Sequence, residues 1–350
     1  AFFIDVEKDE WCEEIDTSED IVREIKLSSK EIIERIKDRG IVGLGGAAFP
    51  THVKYMVPED KKAEYLIINA AECEPYLTSD NRVILEHTEE VLIGIEIMKK
   101  ALNINKAKIG IEANKPKAIE ALRKILNQYP GTEVVPLKTK YPQGAEKQLI
   151  YALTKREVPS GKLPIEVACV VNNVGTAFAI YQAVQKNRPL IDNILTFTGK
   201  KATNNKNLLV RVGTSIQSII DFCGGLPEDT GKVINGGPMM GKAMMDLSAP
   251  TTKTTSSILV MSEAESSRKK MTNCLRCGKC VSACPMGLEP IQIALLAKQE
   301  RWEEAEKECA MDCIECGSCL FTCPAGQPLL DIIRVAKSKI GAIRRARSKK

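Results

Sequence analysis

The chain has 350 residues, 44% hydrophobic and 27% charged, which is enough to bury the cores of two or three domains. Its net charge of +5 sits in the last stretch, where residues 332–350 hold eight Lys or Arg and no acid, so the broad basic surface that nucleic acid requires is missing. No apolar run reaches the roughly 18–20 residues of a membrane-crossing helix, and the acidic opening AFFIDVEKDEW lacks the basic region of a signal peptide.

Residues 1–22 read as a strand remnant and linker trailing from an N-terminal domain, and the chain lacks an initiator Met. Ser28 and Glu31 form a capping-box pattern ahead of an apolar-periodic helix that Gly40 ends. Residues 43–54, GLGGAAFPTHVK, are a glycine-rich loop. Strands predicted at 65–69, 107–112, 132–137 and 166–171 then alternate with helices at 89–102, 116–128, 146–155 and up to about 186. That alternation makes residues 23–188 an α/β domain with a largely parallel sheet. From 189 to 250, short β-like runs (ILTFTG, NLLVRVG, KVING) surround one helix at 215–222, a small α+β domain. TTKTTSS at 251–257 reads as a linker, residues 262–340 as a helical, cysteine-rich domain, and 341–350 as a basic tail.

Thirteen Cys and two His point to metal ligation in a reducing compartment and leave little room for His chemistry. Cys274, Cys277, Cys280 and Cys284 follow C-x2-C-x2-C-x3-C with Pro285 next, and Cys313, Cys316, Cys319 and Cys323 repeat the run with Pro324 next. This is the spacing of bacterial two-cluster ferredoxins, in which the fourth Cys of each run ligates the other cluster. One 4Fe–4S cluster is therefore assigned to Cys274, Cys277, Cys280 and Cys323, and the other to Cys313, Cys316, Cys319 and Cys284. Paired structural zinc sites use two C-x-x-C hairpins and explain this spacing poorly. Cys169, Cys12 and Cys223 read as structural.

The glycine loop does not match G-x-G-x-x-G, but its backbone N–H groups can approach a phosphate, with Lys54 adding a cation. GLGGAAFPTHVK (43–54), NAAECEP (69–75), YPQGAEKQL (141–149) and VNNVGT (171–176) occur in one order. Together they resemble the flavin-bearing, NADH-binding subunit of respiratory complex I. With AECEPYLTSDNRVILEH, NGGPMMG and the cysteine tandem, the chain is similar from about residue 20 to 340 to the C subunit of the Rnf ion-translocating electron transport complex.

The resemblance implies a Rossmann-like FMN- and NADH-binding α/β domain, a β-grasp domain of the soluble-ligand-binding (SLBB) type, and a two-cluster ferredoxin-like helical domain. It implies that Gly43, Gly45 and Gly46 approach the flavin, that Lys54 and Asn69 bind it, and that Asn172 and Asn173 hold its phosphate or ribityl end. Glu72, Glu74 and Glu146 would face the nicotinamide–ribose region, Phe49 would offer an aromatic face, and Tyr141 and Gly144 would line the cofactor pocket with Glu146, Tyr141 packing the turn being the alternative. Complex I commonly carries Asp where this chain has Ala71 and Arg where it has Leu44. The implied function is electron exchange between NAD(H), FMN and two 4Fe–4S clusters. The implied setting is the cytoplasmic face of a membrane complex, peripherally, beside other subunits including an iron–sulfur subunit that meets ferredoxin. The alternatives are a cobalamin-reductase-type flavoprotein of a bacterial microcompartment and an electron conduit without a working nucleotide site. The basic tail reads as a solvated end, with a docking element for an acidic partner surface or anionic lipid as the alternative.

Overall fold

The computed structural model describes residues 10–348. Helix α1 (Ser29–Asp38) begins at the expected capping box, with the Ser28 side chain accepting from the Glu31 N–H and the Glu31 carboxylate accepting from the Ser28 N–H. Helix α2 (Thr51–Tyr55) follows the glycine loop, and the parallel sheet is built from β1 (Tyr65–Ala70), β2 (Lys106–Glu112), β3 (Thr132–Leu137) and β4 (Cys169–Asn173) in the order β3-β2-β1-β4. Along β1, Leu66 and Ile68 face one core and Ile67 the other, the period of two that a doubly covered strand requires.

The larger core is packed by α1, α3 (Ser79–Glu86), α4 (Thr88–Leu102), α5 (Pro116–Ile125) and α7 (Val174–Gln185), and the smaller by α6 (Glu146–Thr154). Two departures from the predicted elements have local causes. Pro164–Val167 forms a 3-10 turn ending at Ala168 with φ 56°, so β4 starts at Cys169 and not at 166. Helix α3, absent from the predicted elements, starts where Glu72, on the loop between β1 and α3, accepts from the Asp80 N–H.

The second sheet contains β5 (Asp192–Thr198), β6 (Lys206–Arg211), β7 (Thr230–Asn235), β8 (Lys242–Ala243) and β9 (Ser257–Ser262), ordered β6-β5-β9-β7-β8, with α8 (Ile216–Phe222) between β6 and β7. Only β5 and β9 pair in parallel. The boundary expected at 250 is therefore corrected. β9 lies beyond the threonine-rich stretch yet forms the middle of this sheet, burying Ile258, Leu259 and Val260.

The C-terminal module is helical: α9 (Glu263–Ser266), α10 (Lys279–Ser282), α11 (Pro290–Lys298), α12 (Trp302–Lys307), α13 (Ser318–Thr322) and α14 (Leu329–Arg347). Helix α14 buries Leu329, Leu330, Ile333, Ala336 and Ile340. It also continues through the residues expected to form a separate tail after 340. Arg344 and Arg347 pair with Glu306, Arg347 also with Glu303, and Arg334 and Lys337 with Glu315. Among the described residues no helix is long and apolar enough to cross a membrane.

Candidate functional site

Strand order reverses between β1 and β4, and in open parallel sheets ligands bind at the C-terminal ends of the strands flanking such a reversal. Those ends carry Asn69 on β1 and Asn172 and Asn173 on β4. Asn173 caps α7, its Oδ1 accepting from the Gly175 N–H at 2.8 Å. The glycine loop lies over this helix start: the Leu44 N–H donates to Thr176 Oγ1 at 3.0 Å, and a Cβ on Gly45 would sit 3.7 Å from Asn173 Cβ. Gly46 has φ 104° and nothing within 4 Å of where its side chain would be. A helix N-terminus beneath a loop of glycines is a ready phosphate site.

Beside it, the buried Asn172 amide and the buried Tyr55 hydroxyl face each other but form no well-aligned hydrogen bond, and neither has another partner among the described residues. Lys54 Nζ donates to the Val171 carbonyl at 2.7 Å and lies 3.9 Å from Glu146 Oε1. Burial draws its pKa below the ordinary lysine value, and Glu146 partly offsets this. An unsatisfied buried amide, a buried cation and a helix N-terminus are the donors that a phosphorylated, polyhydroxylated flavin would engage, so the residues present fit FMN. Asn69 is spent on the loop itself, donating to the Gly144 carbonyl at 2.8 Å and accepting from the Ala71 N–H at 3.1 Å. Gly144 has no room for a side chain, because a Cβ there would lie 2.4 Å from the Ala71 carbonyl oxygen.

The expected carboxylates divide. Glu146 stays at the pocket beside Lys54. Glu72 turns away to the start of α3, accepting from the Asp80 N–H at 2.9 Å and from Ser79 Oγ at 3.3 Å, with Lys115 Nζ 3.6 Å from its other oxygen. Glu74 reaches into the second sheet's domain and accepts from the Met239 and Met240 N–H groups at 3.1 and 2.7 Å. Of the three, Glu146 alone lies beside Lys54, while Glu72 is held by the start of α3 and Glu74 by the turn 235–241. Phe49 is 46% exposed, which excludes a core role and leaves its ring free at the loop. Asp80, which the motifs did not single out, accepts from Asn173 Nδ2 at 2.8 Å; burial first, and then the Glu72 carboxylate, push its pKa up to about 7.

The two cysteine runs fold as matching loops. Arg276 and Glu315 both have positive φ (53° and 57°), and their N–H groups donate to Cys274 Sγ and Cys313 Sγ, each at 3.4 Å. Gly278 and Gly317 follow at φ 71° and 77° and open α10 and α13, which pack on each other. Cys284, from the first run, lines one cavity with Cys313, Cys316 and Cys319 from the second, closed by Met286 and Leu330. Cys323 of the second run lies by Cys280 of the first. Burial, then Cys313 and Cys316, push the Cys319 thiol up to about 12; a coordinating iron would remove that proton outright. Among the described residues no three His, Cys, Asp or Glu converge as they would on a single metal ion. Four thiols spread around a cavity suit the wider span of a cube of irons and sulfides. Cys309 is exposed at φ 57°, and Cys12 is exposed too, which corrects its structural reading, whereas Cys169 and Cys223 are buried as expected.

The first cavity abuts the flavin domain. Tyr141 Oη donates to the Cys316 carbonyl at 2.7 Å, Gln148 Nε2 donates to the Pro285 carbonyl at 2.9 Å, and Ser160 Oγ donates to Asp312. The turn 235–241, NGGPMMG, completes this joint. Gly237 backs onto Glu74, and a Cβ on Gly317 would lie 2.7 Å from the Met239 carbonyl oxygen. The repeated glycines and methionines were legible as a motif; their role as a spacer between three domains depends on contacts no local pattern encodes.

The Nuo51 FMN-binding domain family matches residues 36–182, and two 4Fe–4S dicluster domain families match residues 266–324 and 239–289. The NAD+-reducing [NiFe]-hydrogenase in the H2-reduced state shares the fold, with a TM-score of 0.62 and 17% identity over 89% of this chain and 63% of that one. The chain is 50% identical over 303 residues to the C subunit of the proton-translocating ferredoxin:NAD(+) oxidoreductase complex of Clostridium ljungdahlii, covering 86% of this chain and 65% of that relative. It is 46% identical to the C subunit of the Na(+)-translocating ferredoxin:NAD(+) oxidoreductase complex of Acetobacterium woodii, covering 91% and 72%. With the C subunit of the ion-translocating oxidoreductase complex of Serratia proteamaculans the identity is 41%, over 85% of this chain and 42% of that relative. The chain belongs to the family of C subunits of ion-translocating ferredoxin:NAD(+) oxidoreductase (Rnf) complexes and carries an FMN-binding domain related to that of complex I.

Proposed function

We propose that this chain exchanges electrons between NAD(H) and a one-electron partner as the nucleotide-interacting subunit of a membrane-bound ferredoxin:NAD oxidoreductase, held peripherally on the cytoplasmic side beside other subunits, including an iron–sulfur subunit that meets ferredoxin. The observation that carries this reading is the seating of the cavity lined by Cys284, Cys313, Cys316 and Cys319 against the flavin domain through Tyr141. When bound, FMN exchanges a hydride with nicotinamide and single electrons with iron–sulfur clusters.

The chain's own residues do the holding. Gly43, Gly45, Gly46 and the α7 N-terminus receive the flavin phosphate, Lys54 supplies a cation, and Asn172 and Asn173 engage the ribityl end. Asn69 and Gly144 keep the pocket's loops in place. Glu146 and the Phe49 ring lie at the mouth, where the nucleotide enters. Cys274, Cys277, Cys280 and Cys323 hold one cluster; Cys313, Cys316, Cys319 and Cys284 hold the other. Residues 192–262 form a β-grasp domain of the SLBB type, on the support of their strand order and their single parallel pair, β5 with β9.

Anaerobically purified protein should contain about eight irons, because two cubes hold four each, together with one FMN that NADH bleaches rapidly. Stoichiometric zinc would overturn the cluster assignment. Flavin that NADH leaves oxidised would reduce the chain to a conduit.

A further inference from the structure

We propose that the face carrying Cys274, Cys277, Cys280 and Cys323 is the docking surface for the acidic iron–sulfur protein with which this chain exchanges electrons; this rests on the proposed function and on reading those thiols as cluster ligands. The two cysteine sets face different surroundings. Cys316 and Cys319 are buried, the first with its carbonyl on Tyr141 of the flavin domain and the second among Ala294 and Leu329, whereas Cys274 and Cys277 are exposed within an unbroken exposed run, residues 267–279. Around them stand large exposed apolar side chains: Met271 (61%), Leu275 (65%), Val281 and Phe321 (75%). They form one surface, because α10 packs on α13 and because the Thr272 N–H donates to the Ala325 carbonyl while Gln327 Nε2 donates to the Thr272 carbonyl.

Five Lys or Arg and no acid lie between residues 267 and 288. Arg268 pairs with Asp331 at 3.1 Å, but Lys269, Lys270, Arg276 and Lys279 meet no carboxylate among the described residues. The C-terminal helix differs, since Arg334, Lys337, Arg344 and Arg347 are taken up by Glu303, Glu306 and Glu315. An apolar centre with an unpaired cationic rim around a redox site fits a protein with the complementary pattern, a carboxylate-rich rim around its own redox group. Such a rim speeds encounter, and its effect is screened by salt over a Debye length of about 8 Å at physiological ionic strength.

The test uses the full chain with its clusters and FMN loaded, and a small acidic ferredoxin as a stand-in for that iron–sulfur protein. Binding is titrated at low and high salt for the wild type, for Lys269→Gln with Lys270→Gln, and separately for Phe321→Ser. The charge variant should weaken low-salt binding roughly tenfold and flatten its salt dependence. Phe321→Ser should weaken binding at both salt levels. Iron content, cluster potentials and NADH-to-dye reduction should stay at wild-type values in both. Wild-type affinity in both variants overturns the proposal. So does a shift of cluster potential with unchanged binding, which would make the cations tuners of the cluster. Binding of the wild type to anionic phospholipid vesicles through these residues, with no ferredoxin binding, also overturns it by assigning the face to a lipid surface. Metal analysis of the wild type separates these outcomes from failure of the cluster reading, which would appear as zinc in place of iron.

Discussion

Asn172 lies at the end of a buried strand with no well-aligned hydrogen bond to either amide atom, and an unsatisfied buried polar group costs roughly 1–3 kcal/mol. A residue kept there at that cost gains when a ligand supplies the missing partners. Asn172→Leu should therefore melt no lower than the wild type without flavin, yet lose FMN while keeping its iron; flavin absorbance and iron content per chain read both. Asp80 makes a second residue-scale prediction. Its carboxyl stays protonated to about pH 7 in the fold, well above its unfolded value, so the fold holds an extra proton between about pH 4 and 7 and stability falls as pH rises through that window. Asp80→Asn should flatten this fall in thermal melts from pH 4 to 8 and raise the melting temperature most at pH 8, the neighbouring Glu72 leaving a residual slope. That the glycine loop, Lys54 and Asn173 gather at the start of α7 was foreshadowed by short local motifs. The true partners of Glu72 and Glu74 were not, because each reaches another element or another domain.

At the scale of elements, the parallel sheet and its helices follow from hydrophobic periodicity and turn chemistry. β3 at Thr132–Leu137 falls where alternation placed it, and α1 where its capping box did. β9 escaped because six residues after a threonine-rich stretch carry no period that separates a central strand from the end of a linker, and its partners β5 and β7 are remote in the chain. Close packing of elements shows at Gly94 on α4, where a Cβ would lie 2.1 Å from the Ala177 carbonyl oxygen on α7. Gly94→Ala must push these helices apart, and overpacking of this kind costs roughly 1–3 kcal/mol. Urea unfolding followed by flavin-domain fluorescence should show a lowered midpoint. An unchanged midpoint would mean the two helices separate freely at that point.

At the scale of the whole molecule, the three domains meet at one joint: Tyr141 on the Cys316 carbonyl, Glu74 on the turn 235–241, and Gly317 beneath Met239. Tyr141→Phe removes one hydrogen bond and little volume. It should leave iron and FMN content unchanged, raise hydrogen exchange in residues 313–319, and slow reduction of the clusters by NADH without slowing bleaching of the flavin. Unchanged exchange and unchanged cluster reduction would show that the tyrosine holds nothing. An FMN-binding domain ahead of the 4Fe–4S motifs was legible from the sequence, whereas the joint was not, since residues 74, 141, 239 and 316 converge only once both sheets have formed.

The strand β9 sets a timetable for that convergence. The flavin sheet is complete once Asn173 has been made, but the second sheet lacks its middle strand until Ser262. At the roughly 5–20 residues per second of protein synthesis, some 4 to 18 s pass between the two. The first cysteine of the tandem, Cys274, follows twelve residues after β9 ends. A nascent chain thus presents a complete flavin sheet well before the cysteine tandem, with the intervening turn already able to meet Glu74 when those thiols emerge.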